Sequence, residues 1–128
     1  MKITIKDLYS ISEAIAYLSS CQSSAWYAVV KNKRIISPLL KDAEEDRKSI
    51  IEKFALKDDK GFVMKVKEGK EVFSFENDEK EKECLMYLEK FYNEEIDVEF
   101  YTTPVKNIIS ESHPEIVIET LLDKIFIE

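Results

Sequence analysis

A single histidine, His113, and two cysteines, Cys21 and Cys84, are the residues of this chain best suited to nucleophilic or soft-metal chemistry. Catalysis by His113 needs an orienting carboxylate and a nucleophile within reach. Its place before Pro114 at a helix entrance reads instead as a local cap or a solvent-facing ring. The cysteines show no metal-ligand or redox spacing. Cys84 lies beside Leu85 in an apolar helical stripe, where free cysteine behaves as a small hydrophobe. Both are expected as reduced thiols. Carboxylates gather at Asp42, Glu44, Glu45 and Asp46, at Asp58 and Asp59, and at Glu94, Glu95, Asp97 and Glu99. Oxygen clusters suit calcium or magnesium, but residues 58–61 lack the length and ligand period of an EF-hand. No spacing singles out an acid pair of the kind that hydrolyses glycosides. The chain is therefore expected to be no enzyme, with no catalytic, cofactor-binding or metal residues.

Trp26 and Tyr27, close before Lys31, Lys33 and Arg34, are more suggestive. Aromatic rings near a basic cluster form stacking and phosphate-binding surfaces. Two readings stand here. Either Trp26 is core and the cations are an outer face, or rings and cations together form a partner interface or a nucleotide pocket.

These residues sit in a chain of 128 residues, about one domain on length alone, and a single domain over 1–128 is expected. Apolar residues make up 45%, enough for a core, and charged residues 35%. Glycine and proline total only five. That scarcity argues against a turn-rich sandwich, a disordered linker or a glycine-built phosphate loop. Residues 1–64 carry 11 Lys/Arg against 9 Asp/Glu, whereas residues 65–128 carry 8 against 17. So acidic a half opposes phosphate backbones, whose affinity comes from cations displacing counterions; nucleic acid is not an expected partner. The apolar residues from Ile3 to Leu18 are interrupted by Lys6, Asp7 and Glu13, so no signal peptide or membrane span is expected.

Leu8, Ile11, Ile15 and Leu18, spaced 3, 4 and 3, mark a first helix over about 6–19, after an extended arm at residues 3–5. Thr4 with Asp7, or Ser10 with Glu13, supplies a capping box. After a serine-rich break, a long helix from about Ala25 to Leu56 carries Val29, Ile36, Leu40, Ala43, Ile50 and Phe54 on one seam. Pro38 either kinks it or starts a new helix, and Gly61 is the expected left-handed stop. Alternation over residues 62–66 and 71–75 predicts a hairpin. A third helix over about 78–93 turns Leu85, Leu88, Phe91 and Tyr92 inward. Ile96, Val98 and Phe100 form a strand that Pro104 ends or marks as an edge. Ser112 and Glu115 have capping-box spacing before a last helix that is apolar on more than one side. Val117, Leu121, Leu122, Ile125 and Phe126 are expected to meet a partner there.

Glu44 to Phe54, followed by Lys57-Asp58-Asp59-Lys60-Gly61, resembles a pattern in a family of small uncharacterised proteins encoded by tailed bacteriophages and prophages. Asn93 to Phe100, leading through Pro104-Val105-Lys106, resembles it too. The likeness covers most of the chain, which departs from the pattern around Trp26-Tyr27, at Pro38 and in its apolar C-terminus. It implies a phage setting, often beside virion-structure genes, and carries no catalytic residues.

The expected fold is α+β: a helical hairpin with a long second helix, a small antiparallel sheet of a hairpin plus one strand, and a short C-terminal helix. The expected function is non-enzymatic, through contact with other phage structural proteins or with further copies of itself, as a virion or assembly component. An inhibitor of host defence, acting as an acidic decoy or a sponge for a signalling nucleotide, is the alternative. Either would work in the host cytoplasm during infection, the first also within the particle. The interface residues are Trp26, Tyr27, Lys31, Lys33 and Arg34 with the C-terminal set.

Overall fold

Thr4 and Asp7 begin the first helix. The Thr4 hydroxyl accepts the Asp7 backbone N–H at 3.1 Å, and the Asp7 carboxylate accepts the Thr4 N–H at 3.2 Å, satisfying donors that every helix start leaves orphaned. The computed structural model describes residues 1–109 and 111–128. Its elements begin with β1 (Lys2–Thr4), α1 (Ile5–Ser19) and α2 (Trp26–Phe54), then β2 (Lys57–Asp58), β3 (Gly61–Phe62), β4 (Met64–Lys67) and β5 (Lys70–Phe73). There follow α3 (Asp78–Tyr92), β6 (Glu95–Asp97), β7 (Thr103–Pro104), α4 (Lys106–Ile109), α5 (Glu115–Leu121) and β8 (Phe126–Ile127). The fold is α+β, a helical hairpin with a long second helix and small strand pairs. Residues 1–41 with 95–128 form one compact unit, and residues 42–94 a second.

In the first unit α1 buries Ile5, Leu8, Ile11, Ala14, Ile15 and Leu18. This stripe packs on α5. Each fully buried Leu or Ile contributes about 1.5–3 kcal/mol, so this contact anchors the unit. The arm β1 pairs antiparallel with β6, Ile3 opposite Ile96. The expected strand from Ile96 therefore joins the N-terminus and not the hairpin. β7 runs parallel to β8, and Thr103 and Val105 donate to the Ile125 and Ile127 carbonyls at 2.8 and 2.7 Å. Pro104, which has no N–H to give, falls between those two donors, as an edge position requires.

α2 runs through Pro38 without a break. Arg34 and Pro38, one turn apart, are both exposed, so the carbonyl that loses its donor lies on the solvent side.

In the second unit α2 ends at Phe54, earlier than expected, and Gly61 is not its stop. Gly61, at φ +115°, closes the small β2–β3 hairpin, where Asp58 Oδ1 accepts the Lys60 N–H at 2.8 Å. Asx geometry of this kind makes a turn by itself. The β4–β5 hairpin turns at Glu68 and Gly69, φ 53° and 78°, the paired positive values of a type I′ turn. α3 starts at Asn77, whose side chain accepts the Lys80 N–H at 2.9 Å, and its first turn holds Asp78, Glu79 and Glu81, favourable beside the positive helix end. Cys84 is its buried residue. Burial raises the thiol pKa, and Glu81 raises it further. Leu85 does not turn inward as expected: Cys84, Leu88 and Phe91 hold the inner arc at spacings of 4 and 3, and Leu85 stands exposed beside it.

Candidate functional site

The site starts from a polar residue at the centre of an apolar face. Asn32 lies three residues after Val29 and four before Ile36, and it is 0% exposed. Its Nδ2 donates to the Ala28 carbonyl and to the Tyr101 carbonyl, both at 2.8 Å, while its Oδ1 accepts the Tyr101 N–H at 2.8 Å. A buried amide is tolerated because its bonds are made. The consequence is positional: the extended segment after β6 is pinned across α2 with the Tyr101 ring outward.

That ring meets Tyr27 edge to face, centroids 5.5 Å apart at 78°, and Tyr27 meets Trp26 in the same way at 5.7 Å and 86°. Lys31 Nζ sits 5.5 Å from the Tyr27 centroid. Edge-to-face pairs contribute about 0.5–1.5 kcal/mol beyond area burial, so the ridge holds its shape before anything binds. Trp26 is 62% exposed, and Tyr27 and Tyr101 are also exposed. Trp26 is not core, and that reading falls. Lys33 and Arg34 are exposed on the same helix. The structure thus brings together Trp26, Tyr27 and Lys31 of the residues singled out from the sequence, and Tyr101, which sequence reasoning missed, joins them. The available signal was Asn32 itself, an amide on a buried helical seam that demands a partner.

The C-terminal set is corrected. Val117, Leu121, Ile125 and Phe126 are buried within the chain's own core, not presented to a partner. α5 ends at Leu121, and its buried residues Val117 and Leu121 lie one turn apart on one face, against α1; Ile125 and Phe126 follow beyond its end. Leu122 and Ile116 remain exposed.

His113 is also corrected. It neither caps α5 nor faces solvent: its side chain is 4% exposed, and Pro114, not Ser112, holds the N-cap, with no side-chain cap bond. His113 Nε2 lies 3.3 Å from Glu111 Oε1. Glu111 also accepts from Ser23 Oγ at 3.0 Å and from the Ser24 N–H at 3.1 Å. The Ser24 bond, aided by His113 and Ser23, holds the Glu111 carboxyl below its ordinary pKa against a smaller opposing effect of desolvation. Tyr17 stands edge-on to His113 at 5.8 Å, and a hydrogen bond with Cys21, with some desolvation, raises its phenol pKa. The node ties the connection between α1 and α2 to the approach to α5. His113 Nδ1 is buried without a hydrogen-bond partner among the described residues, so the orienting carboxylate is present but no described side chain meets the ring as a nucleophile.

Among the described residues no group of three or more His, Cys, Asp or Glu is placed to hold a metal ion, and no helix is long and apolar enough to cross a membrane. No protein family, curated protein or solved structure matches the chain.

Proposed function

We propose that this chain acts without catalysis, by binding other proteins, as a virion structural or assembly component of a tailed phage. The observation that carries the reading is the Trp26–Tyr27–Tyr101 ridge, three adjoining exposed aromatic side chains, with Tyr101 fixed in place by Asn32 and Lys31 against Tyr27. Tryptophan, tyrosine and arginine dominate the energetic centres of protein interfaces. Rigid rings lose little entropy on docking, so such a ridge is suited to contact. The phage setting rests on the resemblance of residues 44–61 and 93–106.

The test is mass spectrometry of purified particles against the lysate of the same infection. The expected result is a fixed copy number in particles, lost for a folded Trp26→Ala/Tyr27→Ala variant. Presence in lysate with absence from particles and from assembly intermediates contradicts the reading.

The same ring-and-cation pairing favours one second reading, a host-defence inhibitor that sequesters a signalling nucleotide. A bound nucleotide raises apparent stability by RT ln(1 + [L]/Kd), so a thermal shift panel separates the two.

A further inference from the structure

The ring end of α2 continues into a run of unpaired cations. Lys33 follows Trp26 by seven residues and Arg34 follows Tyr27 by seven, so each cation stands two turns beyond a ring and within about 20° of its stripe. Both cations are exposed, as are Val30, which lies between rings and cations, and Lys41 further along. From Trp26 to Lys41 the helix carries Lys31, Lys33, Arg34 and Lys41 and no carboxylate. Among the described residues none of the four is in an ion pair. Carboxylates are not scarce, since the chain has 26 Asp/Glu against 19 Lys/Arg. A stretch of helix that pairs with none of them presents uncompensated positive charge beside exposed rings.

We infer that this stripe receives a short acidic segment of another protein, its apolar end on Trp26, Tyr27 and Val30 and its carboxylates on Lys33 and Arg34. This rests on the reading of the ridge as a protein-binding surface and names the chemistry of what it binds. The sign of the charge selects an anionic partner, and the length of the run selects its kind. At 1.5 Å per residue the run from Trp26 to Lys41 is about 22 Å long. The helix positions that follow hold Asp42, Glu44, Glu45 and Asp46, all exposed. A nucleic-acid strand or an anionic bilayer, whose charge extends well past that length, meets those carboxylates as well as the cations. A segment of about seven extended residues covers the basic run alone. Its ring end has to be apolar, because removing Trp26 from water is favourable only against apolar surface. Apolar contact supplies affinity, while Lys33 and Arg34 set orientation and reject a segment of the wrong sign.

The experiment is selection from a library of random peptides of about ten residues, slightly longer than that segment, on the intact chain and on a Lys33→Glu/Arg34→Glu variant. Peptides kept by the wild type are expected to carry Asp or Glu toward one end and Trp, Phe, Leu or Pro toward the other. The variant is expected to keep peptides with Lys or Arg in place of the acids, a reversal that misfolding cannot produce. A synthetic peptide from the wild-type selection moves the emission of the single tryptophan to the blue as Trp26 leaves water. Its affinity falls at least ~10-fold when its acids become amides, and as much on the variant. Neutral or basic peptides from the wild type, no enrichment, or the same acidic peptides from both proteins overturn the inference. So does binding of oligothymidylate or of phosphatidylserine vesicles tighter than that of the selected peptide, which assigns the stripe to another polyanion. Any of these results, with a chain that still enters particles in a Trp26-dependent way, removes the acidic segment and leaves the proposed function standing.

Discussion

The side-chain amide of Asn32 bonds both backbone groups of Tyr101, each at 2.8 Å, so one helical residue does for Tyr101 what a neighbouring strand does elsewhere. The relationship joins the core to the surface, since the clamp that satisfies a buried amide also fixes the outer end of the aromatic ridge. Asn32→Ala leaves the Tyr101 N–H and carbonyl unpartnered. Each such group costs about 1–3 kcal/mol, so the variant is expected to lose roughly 2–6 kcal/mol in chemical denaturation. Asn32→Asp keeps the acceptor for the Tyr101 N–H but loses both donors and buries a charge against two carbonyls. It is expected to be the less stable of the two at pH 7 and to recover as the pH falls.

Glu111 makes stability depend on pH. Its folded-state pKa is lowered, chiefly by the Ser24 N–H. Its contribution is therefore fully present above the unfolded carboxylate value, about 4.3, and is lost as pH falls through the lower folded value. In thermal melts from pH 7 to pH 3, Glu111→Gln starts less stable than wild type and declines less on the acid side. A parallel decline in both proteins contradicts this.

The C-terminal correction separates two apolar residues that the sequence does not distinguish. Leu121 is buried against the core, and Ile116 is 72% exposed. Leu121→Ala is expected to cost about 2–5 kcal/mol, whereas Ile116→Ala stays within about 0.5 kcal/mol of wild type. Leu121→Asp is expected to prevent folding of its unit, readable by loss of near-ultraviolet dichroism. Equal effects at the two positions would place α5 differently.

Gly69 isolates a backbone effect. Its φ is +78°, and a Cβ added there meets nothing within 4 Å. Gly69→Ala therefore carries only the left-handed backbone penalty, about 1–2 kcal/mol, with no clash. Gly69→Asn costs less, because asparagine tolerates that region. Denaturation of the two variants, ranked in that order, checks the type I′ turn.

Much of the fold was legible because it rests on local chemistry. Thr4 and Asp7 announce the first helix, the carboxylates of residues 78–81 announce the third, and Glu68-Gly69 announces the hairpin turn. The elements that sequence reading missed depend on distant partners. Nothing local tells the strand after Glu94 to pair with Lys2–Thr4, or tells Asn32 to reach Tyr101. The candidate site was half legible. Trp26, Tyr27, Lys31, Lys33 and Arg34 were visible as a cluster, but nothing local shows that Tyr101 is brought to it by Asn32. Val117, Leu121, Ile125 and Phe126 misled because apolar residues buried in the chain's own core have the same composition as a docking surface. His113 misled in the opposite direction, since its burial depends on Tyr17 and Glu111 closing around it.

The central claim is that the aromatic ridge is the working surface, and photo-crosslinking tests it most directly. A photoreactive phenylalanine derivative replaces Trp26 in one variant and Ile116, equally apolar and exposed, in another, each expressed during infection. The account predicts one discrete protein adduct from position 26, to a particle protein or to a second copy, and none from position 116. Adducts of equal yield from both positions, or none from position 26 in a protein confirmed as folded, would contradict it.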